Sequence, residues 1–173
     1  MITFNASANT KADVVAEKTA IALGFESPRR AVHIKIRFKK GVSHTSWCSK
    51  SSIDDVRALA DLLIKGYRIK KGRAKGVSVP ARPIFDNYMA NYGNEVIYIV
   101  EKAFTTYRKW SVKDRARKAG ENIMKHLQEK TYNGSIGLAA NQGKYAARKA
   151  AKYGDAPFVA TRDLLHNLEV VVE

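Results

Sequence analysis

Residues 31 to 40, AVHIKIRFKK, alternate strictly: Val32, Ile34, Ile36 and Phe38 are apolar, while His33, Lys35, Arg37 and Lys39 between them are polar and mostly basic. Successive side chains of a strand point to opposite faces, so this segment reads as a strand with one core face and one wet, basic face. It constrains the fold more than any other stretch, because the apolar face has to be covered by a second layer. Two shorter signals supply its neighbours. Ile2, Phe4 and Ala6 alternate with Thr3, Asn5 and Ser7, and Leu168-Glu-Val-Val-Val reads as a closing strand. The predicted sheet pairs the first, the alternating and the last strand, mostly antiparallel.

Helical periodicity fills the intervals. Thr10 is placed to cap a helix carrying Asp13 in its first turn and ended by Gly24. Residues 43 to 48 read either as a partner strand or as a polar loop. Ser52 is the expected cap of the next helix, with Asp54 and Asp55 in its first turn, where the helix dipole favours acids. Its apolar line is Ile53, Val56, Leu59, Ala60, Leu63 and Ile64. Between 66 and 79, Tyr67 and Ile69 on one side and Val77 and Val79 on the other predict a hairpin with a mobile basic tip. After Pro83 the spacing of Met89, Tyr92, Val96, Val100, Ala103 and Tyr107 predicts a long amphipathic helix, weakest at Gly93. Ser111 caps another, with Val112, Ala116, Ala119, Ile123 and Leu127 on its buried line, and Asn133-Gly134 breaks the chain. An Ala-rich helix over 138–152, weakened by Gly143, and a short turn from Thr161 to His166 complete the pattern. The expectation is one α+β domain over residues 1–173: a small, mostly antiparallel sheet with a long helix and shorter helices on one face. A basic, glycine-containing arm projects at about 65–79.

Charge narrows the function. The chain carries 31 Lys and Arg against 16 Asp and Glu, a formal net charge of +15. Such an excess draws polyanions, whether nucleic acid, acidic membrane or acidic protein. Lys65, Arg68, Lys70, Lys71, Arg73, Lys75 and Arg82 form a run without any acid. Arg108, Lys109, Lys113, Arg115, Arg117 and Lys118 form a second cluster, relieved only by Asp114, and Lys144, Arg148, Lys149 and Lys152 a third. The glycine-spaced run is the best candidate for contact with phosphate or carboxylate, which makes Arg68, Lys70, Lys71, Arg73, Lys75 and Arg82 the candidate polyanion or partner residues. Tyr67, Tyr145 and Tyr153 lie near bases but build no RNA-recognition signature, and no recognition-helix or zinc-finger pattern occurs. Non-specific nucleic-acid binding therefore stays open.

Catalytic patterns are missing from the sequence. His44 and Cys48 form the only near pair at ligand spacing, and nothing downstream completes a metal tetrad. There is no Gly-x-Ser-x-Gly elbow, no Walker A loop and no dinucleotide loop. The expectation is a protein without catalytic residues, metal or cofactor. Cys48 is the only cysteine, so no internal disulfide forms and a reducing cytoplasm suits its synthesis. No apolar run approaches the roughly 18–20 residues that span a bilayer. The opening MITFNASANTKADVV lacks the basic and apolar regions of a secretory signal, so neither membrane nor export is expected.

One motif remains. VPARPIF, residues 79 to 85, stands immediately before the long helix; its prolines fix φ and disfavour helix in the residues directly before them. Arg82, held between them, is suited to bind a carboxylate or a helix C-terminus with both arms of its guanidinium. Some seventy residues later the chain reads KYGDAPFVATRDLLHNLEVVV. Together these resemble the tail-completion and neck proteins of tailed bacteriophages, whose members carry a Pro-Ala-Arg-Pro-Phe box before a long helix. Near their C-terminus they have a Lys-x-Gly, Pro-Leu, Thr-Gly-x-Leu segment leading into a terminal strand. Pro80, Ala81, Pro83, Pro157, Thr161 and Leu164 carry the match, with Ile84 inserted before Phe85, Phe158 for the Leu and Arg162 for the Gly. The resemblance covers about residues 77 to 173. It implies a virion protein, made in the host cytoplasm, that forms a ring, commonly a hexamer, at the head–tail interface. Its partners would be itself, the portal or connector, and tail-tube or tail-terminator proteins, with DNA passing through the channel. On that footing Arg82 is a joining contact, and reversing its charge is expected to damage head–tail joining more than folding. The alternative is a basic protein that binds DNA or RNA without sequence preference.

Overall fold

A computed structural model describes residues 2–6, 32–43, 55–70, 75–140 and 163–173. The expected helix at 10–24 lies outside the described residues; of the possible strand at 43–48 only Ser43 is described, in an isolated bridge to Asp55, and of the Ala-rich helix at 138–152 only residues 138–140, which are not helical.

The fold is α+β. Strands β1 (Ile2–Ala6), β2 (Val32–Phe38) and β5 (Leu168–Val172) form one antiparallel sheet in the order β1-β2-β5. The alternating strand is its centre, as a strand with a fully committed core face should be. Its register sets Ile34 opposite Val172, Ile36 opposite Val170 and Phe38 opposite Leu168, and a one-residue slip would turn this whole set to the wrong face. Ile34, Ile36, Phe38 and Leu168 are buried. On the other face Arg37 binds Glu169 at 2.7 Å and Lys35 pairs with Glu173. The predicted basic face is therefore partly neutralised by the strand beside it. The hydrogen bond and charge of Lys35 hold the Glu173 carboxyl below its ordinary range.

The elements between the strands are α1 (Val56–Lys65), a two-stranded hairpin β3 (Tyr67–Arg68) and β4 (Ser78–Val79), α2 (Ile84–Thr106), α3 (Val112–Tyr132) and the short turn α4 (Asp163–His166). Helix α3 lies on the sheet through Ala116, Ala119, Gly120, Ile123 and Leu127, all of which are buried. Gly120 is the point of closest approach. A Cβ there would stand 2.4 Å from Val170 Cγ1 and 2.9 Å from Ile34 Cγ2, so only glycine lets the helix settle at this depth. Helix α2 packs on α3 and reaches the sheet through Phe85, whose ring centroid is 5.6 Å from that of Phe38.

Helix ends follow local chemistry. Ser111 caps α3 by accepting from the Asp114 N–H at 3.1 Å. At the other end Gly134, at φ 71°, closes a Schellman turn, with Gly134 N–H donating to Thr131 O and Ser135 N–H to Lys130 O. The start of α1 corrects the expectation of a Ser52 cap. Asp55 is the cap, its carboxylate accepting from the Ala58 N–H at 2.9 Å and from the Gly41 N–H at 2.5 Å. The second bond, from a residue 14 positions back, ties the cap to the loop after β2. That tie favours Asp55 over the neighbouring candidates. Helix α2 bends at Tyr92, φ −128° and ψ 16°, one residue before the glycine expected to weaken it.

Candidate functional site

The Pro-Ala-Arg-Pro box is a built corner. Val79 ends β4, Arg82 is non-helical and Pro83 is the first cap of α2, as the sterics of the two prolines require of the residues before them. The Arg82 N–H donates to the carbonyls of Leu63 and Ile64, at 3.0 and 3.2 Å, and so closes the C-terminal turn of α1. Gly66, at φ 71°, brings β3 so near that a Cβ would lie 2.6 Å from Ala81 N. End of α1, start of β3 and start of α2 are thus fixed against one another within a few residues.

The Arg82 side chain corrects the sequence reading. It is buried, at 6% of its possible exposure. Its Nε donates to Ala139 O at 2.9 Å and its second arm to Ala140 O at 3.3 Å. The expected two-armed grip exists, but on backbone carbonyls of the same chain rather than on a partner. A cation sandwiched by prolines loses little conformational freedom on ordering, which makes it a good internal clamp.

Further side chains from α2 continue the grip. Asn87 donates to Gly137 O and Asn91 to Ile136 O, each at 3.1 Å, and Tyr92 OH donates to Ser135 O at 3.1 Å. Carbonyls of five of the six residues 135–140 are therefore held by Arg82 and by side chains of the first α2 turns. The sequence offered a faint sign of this: Asn87 and Asn91 are four apart, hence on one helical face. Their partners, more than forty residues onward, carry no recognisable pattern.

A polar cluster joins α2 to α3 beside this ladder. The buried Tyr88 OH and His126 Nδ1 are 2.8 Å apart, His126 Nε2 lies 2.9 Å from Glu95, and Lys130 sits over the Tyr92 ring. Burial, with Glu95 and Tyr92 adding to it, pushes the Tyr88 phenol above its ordinary range. A phenol held protonated is a hydrogen-bond donor that ties the two helices together. Among the described residues no group of three His, Cys, Asp or Glu side chains could hold a metal ion.

The other candidate cations among the described residues are exposed. Arg68, Lys70 and Lys75 lie on the hairpin, which extends past its paired strands through Ile69 N–H to Val77 O and Gly76 N–H to Ile69 O. Arg68 Nε folds back on Gly76 O at 3.2 Å. Lys71 and Arg73, together with Pro157 and Thr161, lie outside the described residues. Pro80 and Pro83 are half-buried, Ala81 is exposed, and Leu164 is buried with Leu165 and Leu168 at the junction of α4 and β5. The structure therefore separates the six predicted contacts: Arg82 works inward, and Arg68, Lys70 and Lys75 face solvent. No helix among the described residues is long and apolar enough to cross a membrane. No family model, curated protein or solved structure matches the chain.

Proposed function

We propose that this chain is a structural virion protein of a tailed bacteriophage, joining or completing the neck between head and tail as a ring around the DNA channel. One observation carries the reading. The box on which the resemblance rests is a cross-braced corner, its Arg82 buried, that leads into the longest helix among the described residues. The closing segment adds support, since Leu164 and Leu168 anchor a turn and strand that complete the sheet beside β2. Such a subunit works by shape and charge. Its cations Arg68, Lys70 and Lys75 stand on a hairpin clear of the core, placed to meet an acidic surface on a neighbouring ring or the DNA in the channel. Portal or connector proteins on one side and tail-tube or tail-terminator proteins on the other are the partners, and no catalytic step, metal or cofactor is needed.

Native mass spectrometry of the purified chain, with mass spectrometric analysis of purified particles, tests this. A closed ring, a hexamer by the resemblance, and a place in the particle are expected. A monomer at high concentration together with absence from particles would sink the proposal. The runner-up, a nucleic-acid-binding protein outside any virion, is favoured by the charge of +15. It predicts affinity for any duplex or RNA that falls steeply with salt.

A further inference from the structure

The second basic cluster falls at the turn between α2 and α3, and the structure divides it in two. Arg115 turns inward: its guanidinium lies 5.1 Å from the Phe104 ring centroid and donates to Phe104 O at 3.4 Å. Lys118 is bound to Glu121 at 3.5 Å. Arg108, Lys109, Lys113 and Arg117 are exposed, and none forms an ion pair among the described residues. The one acid among them, Asp114, accepts from Ser111 Oγ at 2.6 Å, so the N-terminus of α3 is closed by its own side chains. Four unpaired cations thus crowd one corner.

At the centre of that corner stands Trp110. It is 46% exposed, which is unusual for so large an apolar side chain. It is also held still. Its backbone N–H donates to Tyr107 O at 2.9 Å, and its ring stacks on the Tyr107 ring with centroids 4.4 Å apart and planes 29° apart. The indole is backed on one face by an aromatic and open beyond it, and a shallow concavity beside it is lined by Lys109, Ser111, Arg117 and Lys118 together with Asp114 and Glu121, the two acids being engaged by Ser111 and Lys118. A fixed, half-open aromatic with the unpaired Lys109 and Arg117 beside it, and Arg108 and Lys113 close by in the chain, matches what an unpaired nucleotide offers, a flat base between two phosphates. Duplex DNA, heparin and acidic lipid offer the charges without an accessible base face.

We propose that the α2–α3 corner binds single-stranded nucleic acid, with Trp110 stacking on a base and Arg108, Lys109, Lys113 and Arg117 holding the flanking phosphates. The surface stands apart from the hairpin and from the proline box, and it holds whether or not the chain belongs to a neck.

Fluorescence anisotropy with a labelled oligothymidylate, a duplex of equal length and heparin tests it on the full chain. Trp110→Ala should weaken oligothymidylate binding by about 5- to 150-fold, the loss of one stacked base. Trp110→Phe should restore most of it, and binding of duplex and heparin should change by less than about twofold in either variant, because phosphate attraction is untouched. The Lys109→Glu, Arg117→Glu double variant should flatten the salt dependence of oligothymidylate binding by about 1.4 in log–log slope, some 0.7 per lost phosphate contact. The proposal is overturned if Trp110→Ala binds oligothymidylate like the parent, or loses duplex and heparin equally. It is also overturned if reversing Arg68, Lys70 and Lys75 abolishes binding while the corner variants bind normally. Trp110→Ala also loses the Tyr107 stack and with it some stability; Trp110→Phe and the charge variants, all at exposed positions, read out the corner independently.

Discussion

Arg82 gives the sharpest prediction, because its two readings lead to opposite outcomes. As a surface contact it would tolerate substitution with little change in stability. As the buried clamp seen here it holds Ala139 O and Ala140 O, at 2.9 and 3.3 Å, from a site only 6% exposed. Hydrogen bonds from a charged donor contribute about 1.5–3 kcal/mol each, with the longer one at the lower end. Arg82→Met keeps the aliphatic stem and forfeits both bonds; it also removes the cost of burying a charge, so the net loss is about 2–4 kcal/mol. Arg82→Lys retains the charge but has no fork to span two carbonyls, and should fall between parent and Met. Arg82→Glu sets a carboxylate against two carbonyl oxygens. An uncompensated buried charge costs about 3–5 kcal/mol, a large part of the stability of an ordinary domain. Urea titrations followed by circular dichroism should therefore order the midpoints parent, Lys, Met, Glu. Arg68→Glu on the exposed hairpin should move by under about 0.5 kcal/mol. A folded Arg82→Glu with the parental midpoint would refute the clamp and return Arg82 to the surface.

Gly120→Ala should lower stability by about 1–2 kcal/mol even though alanine is the better helix former by about 1, because the new methyl meets branched side chains of Val170 and Ile34 that cannot swing away; an unchanged or higher melting temperature would contradict the packing. Gly66→Ala should be worse, since it adds a left-handed φ of 71° to a contact with backbone atoms of Val79 and Ala81; its melting curve can be compared with that of Gly41→Ala, which has the positive φ but open space. Hydrogen bonds from Ala58 and Gly41 hold the Asp55 carboxyl below its ordinary range. Its contribution is therefore present at pH values above the unfolded carboxyl's range and is lost as pH falls through the lowered folded value. The stability difference between parent and Asp55→Ala should accordingly shrink from pH 6 towards pH 3 in paired melts, and a constant difference would remove the charged cap.

What could be read in advance was local. The two-residue alternation of β2, the proline sterics of the box, the Ser111 cap and the Asn133-Gly134 stop are each decided by a few adjacent residues, and each stands where it was expected. The Asp55 cap was misplaced because several serines and aspartates compete within a few positions, and the vote is cast by the Gly41 N–H across a loop. Arg82 shows the same limit at longer range. Its rigid setting was legible, but its acceptors lie 57 and 58 residues later in a segment of Gly, Leu and Ala with no signature. In the second cluster, charge alone could not separate Arg115 and Lys118, which are engaged internally, from the four cations around Trp110 that are not.

The central claim, a place at the head–tail joint, is tested most directly by electron microscopy of particles formed with and without this chain. Without it, the account predicts DNA-filled heads and free tails that fail to join, rescued when the chain is supplied in trans. Normally tailed, infectious particles in its absence would contradict the account.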